Sequence, residues 1–258
     1  MRKQLPTHPI RRRLILTLAR GSTLGLARRL ALASPLMLAG LAMHRGAHAA
    51  QTKTETRDVS GFDGVVFAAA GDLSIEQAPR ESLTIEAEPE VLRKITSEVH
   101  GHKLTLGFGA GNVIARAPIR FRLQVRELRA LELRTSGSAH LGALDTDRLS
   151  LLLSGSGDID GERITANKLD VRLSGSGTVS LSHGQVDRLR IEIGGSGTVD
   201  AAGLQSRDAQ VSVDGSGDVR LTAADHLVVR IGGSGSVRYA GNPQLEQSIT
   251  GAGTVERD

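Results

Sequence analysis

The chain has 258 residues, of which 31 are glycine, none is cysteine and only five are aromatic (four Phe, one Tyr, no Trp). Without cysteine there is no disulfide framework, thiolate nucleophile, Cys-ligated zinc, iron-sulfur cluster or acylated lipoprotein cysteine. With 39% hydrophobic residues the chain can still build a sizeable core, which has to be aliphatic.

The formal charge of +4 belongs to the first fifty residues, which hold nine basic residues and no acidic one. The remainder therefore carries 23 of the 32 basic residues against all 28 acidic ones, a net of −5. Residues 1–49 read as a cleaved export signal: a long cationic segment, an apolar stretch over 31–43, and Ala47-His48-Ala49 as an A-x-A cleavage site before Ala50. Thirteen apolar residues interrupted by Pro35 and Gly40 fall short of the roughly 20 that a membrane span needs, so the mature form is expected to have no stable span. Arg12-Arg13 and Arg28-Arg29 leave the general and twin-arginine export routes both open. The mature protein is then expected in the periplasm, at the outer surface or outside the cell, with residues 50–58 as a short linker.

Residues 59–130 are β-rich and irregular, with strands predicted over 65–69, 73–75, 83–87, 104–108 and 119–125. Residues 88–98 permit one short helix or a turn across an end. Ala70-Gly71-Asp72-Leu73 reads as a degenerate copy of a phrase that recurs later, so this part is expected to start and cap the architecture that follows.

From residue 131 onward one phrase repeats: an alternating apolar strand, then Gly-Ser-Gly or a near relative, then a polar and a β-branched residue. Its opening glycines are read as Gly137, Gly155, Gly175, Gly195, Gly215, Gly233 and Gly251, at spacings of 18, 20, 20, 20, 18 and 18. A period near 20 with one strand-turn unit per repeat marks a solenoid, in which each coil buries its apolar face on its neighbours. Alignment on the glycine gives apolar columns six, four and two residues before it, for example Leu169, Val171 and Leu173. A further column lies four residues after it, through Ile159, Val179, Val199, Val219, Val237 and Val255. These columns predict an all-β, single-stranded parallel β-helix over 131–258. Outward positions are polar and matched in charge between coils, Asp170 over Arg190, Arg172 over Glu192 and Asp200 over Arg220. Glycine suits the corner because it turns without steric cost and lets coils approach closely.

Phe62-Asp63-Gly64-Val65, the Ser-Gly-Ser-Gly turns at 154–157 and 174–177, and Val237-Arg238-Tyr239-Ala240-Gly241-Asn242-Pro243 together resemble the bacterial head GIN domain family, whose members are called putative autotransporter adhesins. The likeness covers roughly residues 59–255. It implies an exported protein with a right-handed parallel β-helix like that of pectate lyases, and it transfers no catalytic residue. The chain departs from an autotransporter in ending at Glu256-Arg257-Asp258 without a translocating barrel of amphipathic strands.

The chemistry that such a scaffold supports is read next to its plainer alternatives. A phosphate-cradling loop needs a helix after the glycines, and here a strand follows each time. The turns do not match the calcium-binding nonapeptide repeat, because the position after them reads Asp158, Thr178, Thr198, Asp218, Ser236 and Thr254. A polysaccharide lyase would need carboxylates with an Arg or Lys on adjacent coils. Asp158 and Asp218 are three coils apart, roughly 14 Å at about 4.8 Å per coil, and Asp160 and Asp200 two. Asp158 with Asp160 and Asp145 with Asp147 are i, i+2 pairs of the kind ordinary after turns. His100-x-His102 places two imidazoles on one side of a strand without a third ligand nearby. His140, His183 and His226 read as exposed residues between or beside strands.

Aromatic platforms for sugar or single-stranded nucleic acid are missing, since Tyr239 is the only aromatic residue after Phe121 and reads as packing at the end of the coil stack. The net of −5 excludes nucleic acid as the expected partner. No catalytic, cofactor-binding or metal-binding residue is assigned, and no cofactor is expected. The chain therefore reads as an exported, non-catalytic β-helix that binds an envelope or extracellular polysaccharide or protein through many weak polar contacts. Two further readings are a polysaccharide-acting enzyme and a structural envelope protein that self-associates into a homo-oligomer through its open last coil.

Overall fold

The computed structural model describes residues 51–258, so the expected export leader lies outside the described residues. In chain order the elements are β1 (Lys53–Arg57), β2 (Gly64–Phe67), β3 (Asp72–Gln77), β4 (Ser82–Ala87), α1 (Pro89–Leu92), β5 (Ile95–His100), β6 (Lys103–Phe108), β7 (Arg120–Val125) and β8 (Ala130–Leu133). There follow β9 (Ser138–Leu153), β10 (Asp158–Leu173), β11 (Thr178–Ile193), β12 (Thr198–Val213), β13 (Asp218–Ile231), β14 (Ser236–Ala240), β15 (Gln244–Ile249) and β16 (Thr254–Arg257). The long strands β9 to β13 each wrap around one coil and pair in parallel with the coil before and after. The result is an all-β solenoid of about six turns.

Alternation explains the winding. In β10 the inward positions are Ile159, Gly161, Ile164, Ala166, Leu169, Val171 and Leu173, with outward residues between them, of which Asp170 is also buried. Their partners one coil on are Val179, Leu181, Gly184, Val186, Leu189, Ile191 and Ile193, in unbroken register. Burying each large aliphatic side chain contributes about 1.5–3 kcal/mol, so these columns hold the stack together. At the second corner Gly161 leaves room for Ile164 of its own coil and Leu181 of the next, while Gly184, with φ of 127°, lies against the backbone of Ile164. A Cβ on Gly161 would stand 2.9 Å from Leu181 Cδ2. The shortening of the later repeats is absorbed at this same corner, where the β12 to β13 register skips between Ala201 and Gln205 and again between Ser206 and Asp208.

At the Gly-Ser-Gly corners from Gly195 onward the coil-to-coil backbone hydrogen bonds continue through the turn. Thr198 N donates to Gly177 O (3.1 Å), Ser216 N to Gly195 O (3.1 Å) and Ser234 N to Gly215 O (3.0 Å). A Cβ added to Gly155, Gly175 or Gly195 would overlap the carbonyl oxygen of Thr135, Gly155 or Gly175 beneath it. These glycines lie outside the left-handed region, so close approach and not turn conformation is what requires them.

The structure corrects the register of the first regular coil. Leu131 pairs with Leu151 and Leu133 with Leu153, and Gly157 stacks over Gly137. Gly137 is thus the second glycine of its phrase and Thr135 occupies the first position, so the step is 20 residues and not 18. Gly71 stacks beneath Gly137, with Ser138 N donating to Gly71 O (3.2 Å).

The N-terminal part is wound out of sequence order. β2 and β3 form the coil beneath β8 and β9, while β6 and β7, later in sequence, form the coil beneath β2 and β3. Below that, β5 and β4 run antiparallel to β6 and β7, joined by the one-turn α1, and β1 adds antiparallel to β4. Residues 95–100 are therefore a strand, and only Pro89–Leu92 of the expected helix-or-turn segment is helical. The reversed coil seals this end, with Leu83, Ile85, Val91, Leu92 and Ile95 buried against the stack. Arg57 fastens it, donating to Leu92 O (3.0 Å) and Ile95 O (2.8 Å). Phe67 and Phe121 meet edge to face here, 5.1 Å between centroids.

We expect Gly175→Ala to lower the urea midpoint by the equivalent of about 2 kcal/mol or more, because the added Cβ would overlap the backbone carbonyl of Gly155 and force the two coils apart. Ser176→Ala beside it, exposed, is expected to stay within about 0.5 kcal/mol. Equal effects of the two substitutions would refute the close-approach account.

Candidate functional site

With the interior filled by aliphatic side chains, the chemistry available to a ligand lies on the outer faces. On the face after the Gly-Ser-Gly corner, Asp158, Thr178, Thr198, Asp218 and Ser236 form one in-register row. Its carboxylates are engaged between coils: Thr178 N donates to Asp158 Oδ1 (3.1 Å), Ser236 Oγ to Asp218 Oδ1 (2.7 Å), and Ser138 Oγ to Asp72 Oδ1 (2.8 Å). Asp158 and Asp218 stand three rungs apart, and Asp160 and Asp200 are separated by Ser180. Asp147 Oδ1 accepts from Asn167 Nδ2 (2.6 Å). Among the described residues no group of three or more His, Asp or Glu side chains is arranged to hold a metal ion.

The histidines are dispersed. His100 ends β5, and Gly101 and His102 form the turn to β6, with φ of 53° and 65°. The pair therefore flanks a hairpin turn and does not share one strand face. His140, His183 and His226 are exposed, as expected, but lie within β9, β11 and β13 and not between or beside strands. Tyr239 pairs with Leu221 and packs partly buried against the core near the last coils, as its position in the sequence implied.

Charge-matched rows lie on the face before the corner and, at Asp200 and Arg220, on the face after it. Arg172 Nε and Arg190 Nε each donate to Glu192 (2.7 Å), while Arg220 stands 3.9 Å from Asp200. Asp170, in register with Arg190, is instead paired with Lys168 Nζ at 3.0 Å. Beside these rows Arg148, Lys168 and Arg188 stack on three successive coils, followed in register by Asp208 and His226. Lys168, Arg188, Arg190, Asp208, Gln210 and His226 line a groove of about 280 Å³, together with Leu189, Ala209 and Val228. Sequence reasoning missed this row although alignment on the glycine held it: it is the column seven residues before Gly155, Gly175 and Gly195.

By sequence, residues 61–243 match the model of the family described as putative auto-transporter adhesin, head GIN domain. The chain belongs to that family. The head GIN domain fold is shared with solved structures under 25% identical. A putative adhesin from Bacteroides fragilis matches with a TM-score of 0.76 and 24% identity, over 81% of this chain and 97% of that one. A putative adhesin from Parabacteroides merdae matches at 0.65 and 20% identity, over 81% and 97%. A putative lipid binding protein from Parabacteroides distasonis matches at 0.61 and 23% identity, over 81% and 98%. No protein of curated function matches the sequence. No helix among the described residues is long and apolar enough to cross a membrane.

On this head GIN domain the Arg172 hydrogen bond, aided by Arg190, holds the Glu192 carboxyl below its ordinary value of 4.5. Glu192 in turn raises Arg172. A carboxyl depressed in the folded state stabilises the fold above its unfolded value, and that stabilisation disappears as pH falls through the folded value. We expect Glu192→Gln to melt below the parent at neutral pH and the two melting curves to converge in acid. A difference that persisted unchanged below the carboxylate range would overturn the assignment.

Proposed function

We propose that the protein is an exported, non-catalytic binding module that adheres to envelope or extracellular polysaccharide or protein through its polar outer faces. The observation that carries this reading is the register of the rows: the same outward position recurs on consecutive coils, about 4.8 Å apart, on a frame fixed by continuous backbone ladders. A rigid row presents many weak groups at once without ordering cost, and such contacts add up along an extended ligand. Membership of a family described as adhesins agrees with it. The carboxylates weighed for a lyase, Asp158 and Asp218, are committed to hydrogen bonds between coils, which favours binding over cleavage.

The experiment is retention of the purified protein on immobilised envelope and extracellular polysaccharides, with release of new chain ends measured together. Retention without cleavage is the expected result. Cleavage would replace this reading with an enzyme, and retention on none would move the partner to protein.

Export is tested separately. The mature protein is expected to begin at or near Ala50 in the extracytoplasmic fraction by cell fractionation and N-terminal sequencing, as the A-x-A site implies. Full-length protein confined to the cytoplasm would overturn it.

A further inference from the structure

The two ends of the solenoid differ. At the N-terminal end the antiparallel strands β4 and β5 cover β7 and β6, and the outermost strand, β1, carries Lys53, Glu55 and Arg57, charges of the kind that discourage edge pairing. At the other end β15 pairs with β13 on one side, and its outer edge has no strand partner among the described residues. The six residues of β15 include a single charge, Glu246, and no proline. Ile249, 40% exposed, is one of two large hydrophobic side chains that stand exposed among the described residues. Such an edge is a template for one more strand.

The side chains on the edge say which strand fits. The inward column of Val171, Ile191, Val211 and Val229 is aliphatic on successive coils, and then Gln247 follows in register. Leu245 and Ile249 continue the apolar columns on either side of it. An amide is donor and acceptor at once, so a copy of itself facing it across a twofold axis satisfies both groups. Residues directly opposed in an antiparallel pair share a face, so β15 meets a second β15 inward side to inward side in few registers. Two of these engage five residues of the strand, 244–248 centred on Glu246 or 245–249 centred on Gln247. The first sets the Glu246 carboxylate against its own copy, which is unfavourable. The second sets Leu245 against Ile249, amide against amide, and Glu246 against Ser248. The N-terminal end already shows that the ladders of this solenoid accept antiparallel strands. A helix has twofold axes perpendicular to its own, so a copy turned end over end about Gln247 continues the winding.

We propose that β15 is the interface of a twofold dimer, in which the last coil of one molecule pairs antiparallel with that of a second copy about Gln247. Leu245 and Ile249 of the two copies cover one another, and the free backbone edge of each β15 is used by the other. The outer faces of the two molecules then join into one longer sheet. Only the last coil of each takes part, so the contact is at the small end of specific interfaces and dissociates on dilution.

Sedimentation of the purified protein from micromolar to millimolar concentration tests this. A monomer–dimer equilibrium is expected. Gln247→Glu and Gln247→Lys each place like charges face to face on the axis, and each is expected to weaken the dimer by about tenfold or more. Gln247 is exposed in the monomer, so both variants are expected to melt with the parent when all are dilute. An equimolar mixture of the two variants sets Glu against Lys and is expected to dimerise at least as well as the parent. The proposal is overturned by a strict monomer at every concentration, or by variants that dimerise like the parent. Assembly that grows past the dimer overturns it too, since a head-to-tail contact does not close. A mixture that stays monomeric overturns the pairing about Gln247. None of these outcomes bears on retention by polysaccharide, so the adhesive reading is judged apart.

Discussion

The structure depends on one distance, the spacing of backbone from backbone between successive coils at the Gly-Ser-Gly corner. Parallel strands hydrogen-bonded to each other sit about 4.8 Å apart, and at a corner the carbonyl oxygen of the coil below points to where the next Cβ would be. Gly155, Gly175, Gly195, Gly215 and Gly233 answer this with a hydrogen atom. Because the corner is so tight, the hydrogen-bond ladder passes through it, from Ser196 N and Thr198 N to Gly175 O and Gly177 O. The strands on either side cannot slip, and every column, inward or outward, inherits its register from the glycines.

Inside that frame the sequence has to fill a fixed cross-section. Where Gly161 has no side chain, Leu181 of the next coil and Ile164 of its own occupy the space. At the N-terminal end the problem changes, since the inward columns would otherwise meet water. The reversed coil of β4, α1 and β5 closes them, and Arg57 takes up the carbonyls of Leu92 and Ile95 that the reversal leaves at the edge. The three deeply buried phenylalanines, Phe62, Phe67 and Phe121, all lie in this part, where the regular aliphatic fit does not hold.

What the sequence made legible follows from the same distinction. The coils from Gly155 onward were readable because a physical constraint repeats in them, and the pairs Arg172 with Glu192 and Asp200 with Arg220 followed from it. The first regular coil was misread by two residues because Thr135 stands where glycine stands elsewhere, and its hydroxyl accepts from Gly137 N in its own turn (3.3 Å). The order of the N-terminal coils was not readable, since stacking of β6 under β2 depends on long-range pairing that leaves no periodic trace. Val99 and Ile95 alternate weakly in a stretch with three glutamates, so a strand there resembled a turn or helix. The row at Arg148, Lys168 and Arg188 is present in the alignment but silent, because outward columns show themselves by complementary charge and this one repeats a single sign.

That silence bears on how such a protein acquires function. Inward positions are tied to one another through volume, and the corners through backbone contact, so neither is free to specialise. Outward positions are tied only by charge, and there the cheapest arrangement alternates sign from coil to coil, as Asp170 with Arg190 and Arg172 with Glu192 do. A departure from alternation is therefore the informative event on a solenoid surface, in the way that a buried unpaired group is informative in a globular core. Arg148, Lys168 and Arg188, three like charges on successive coils, are such a departure. The frame tolerates them because its stability resides in the columns and corners, which leaves the outer face as the part of the molecule that can be shaped by what it binds.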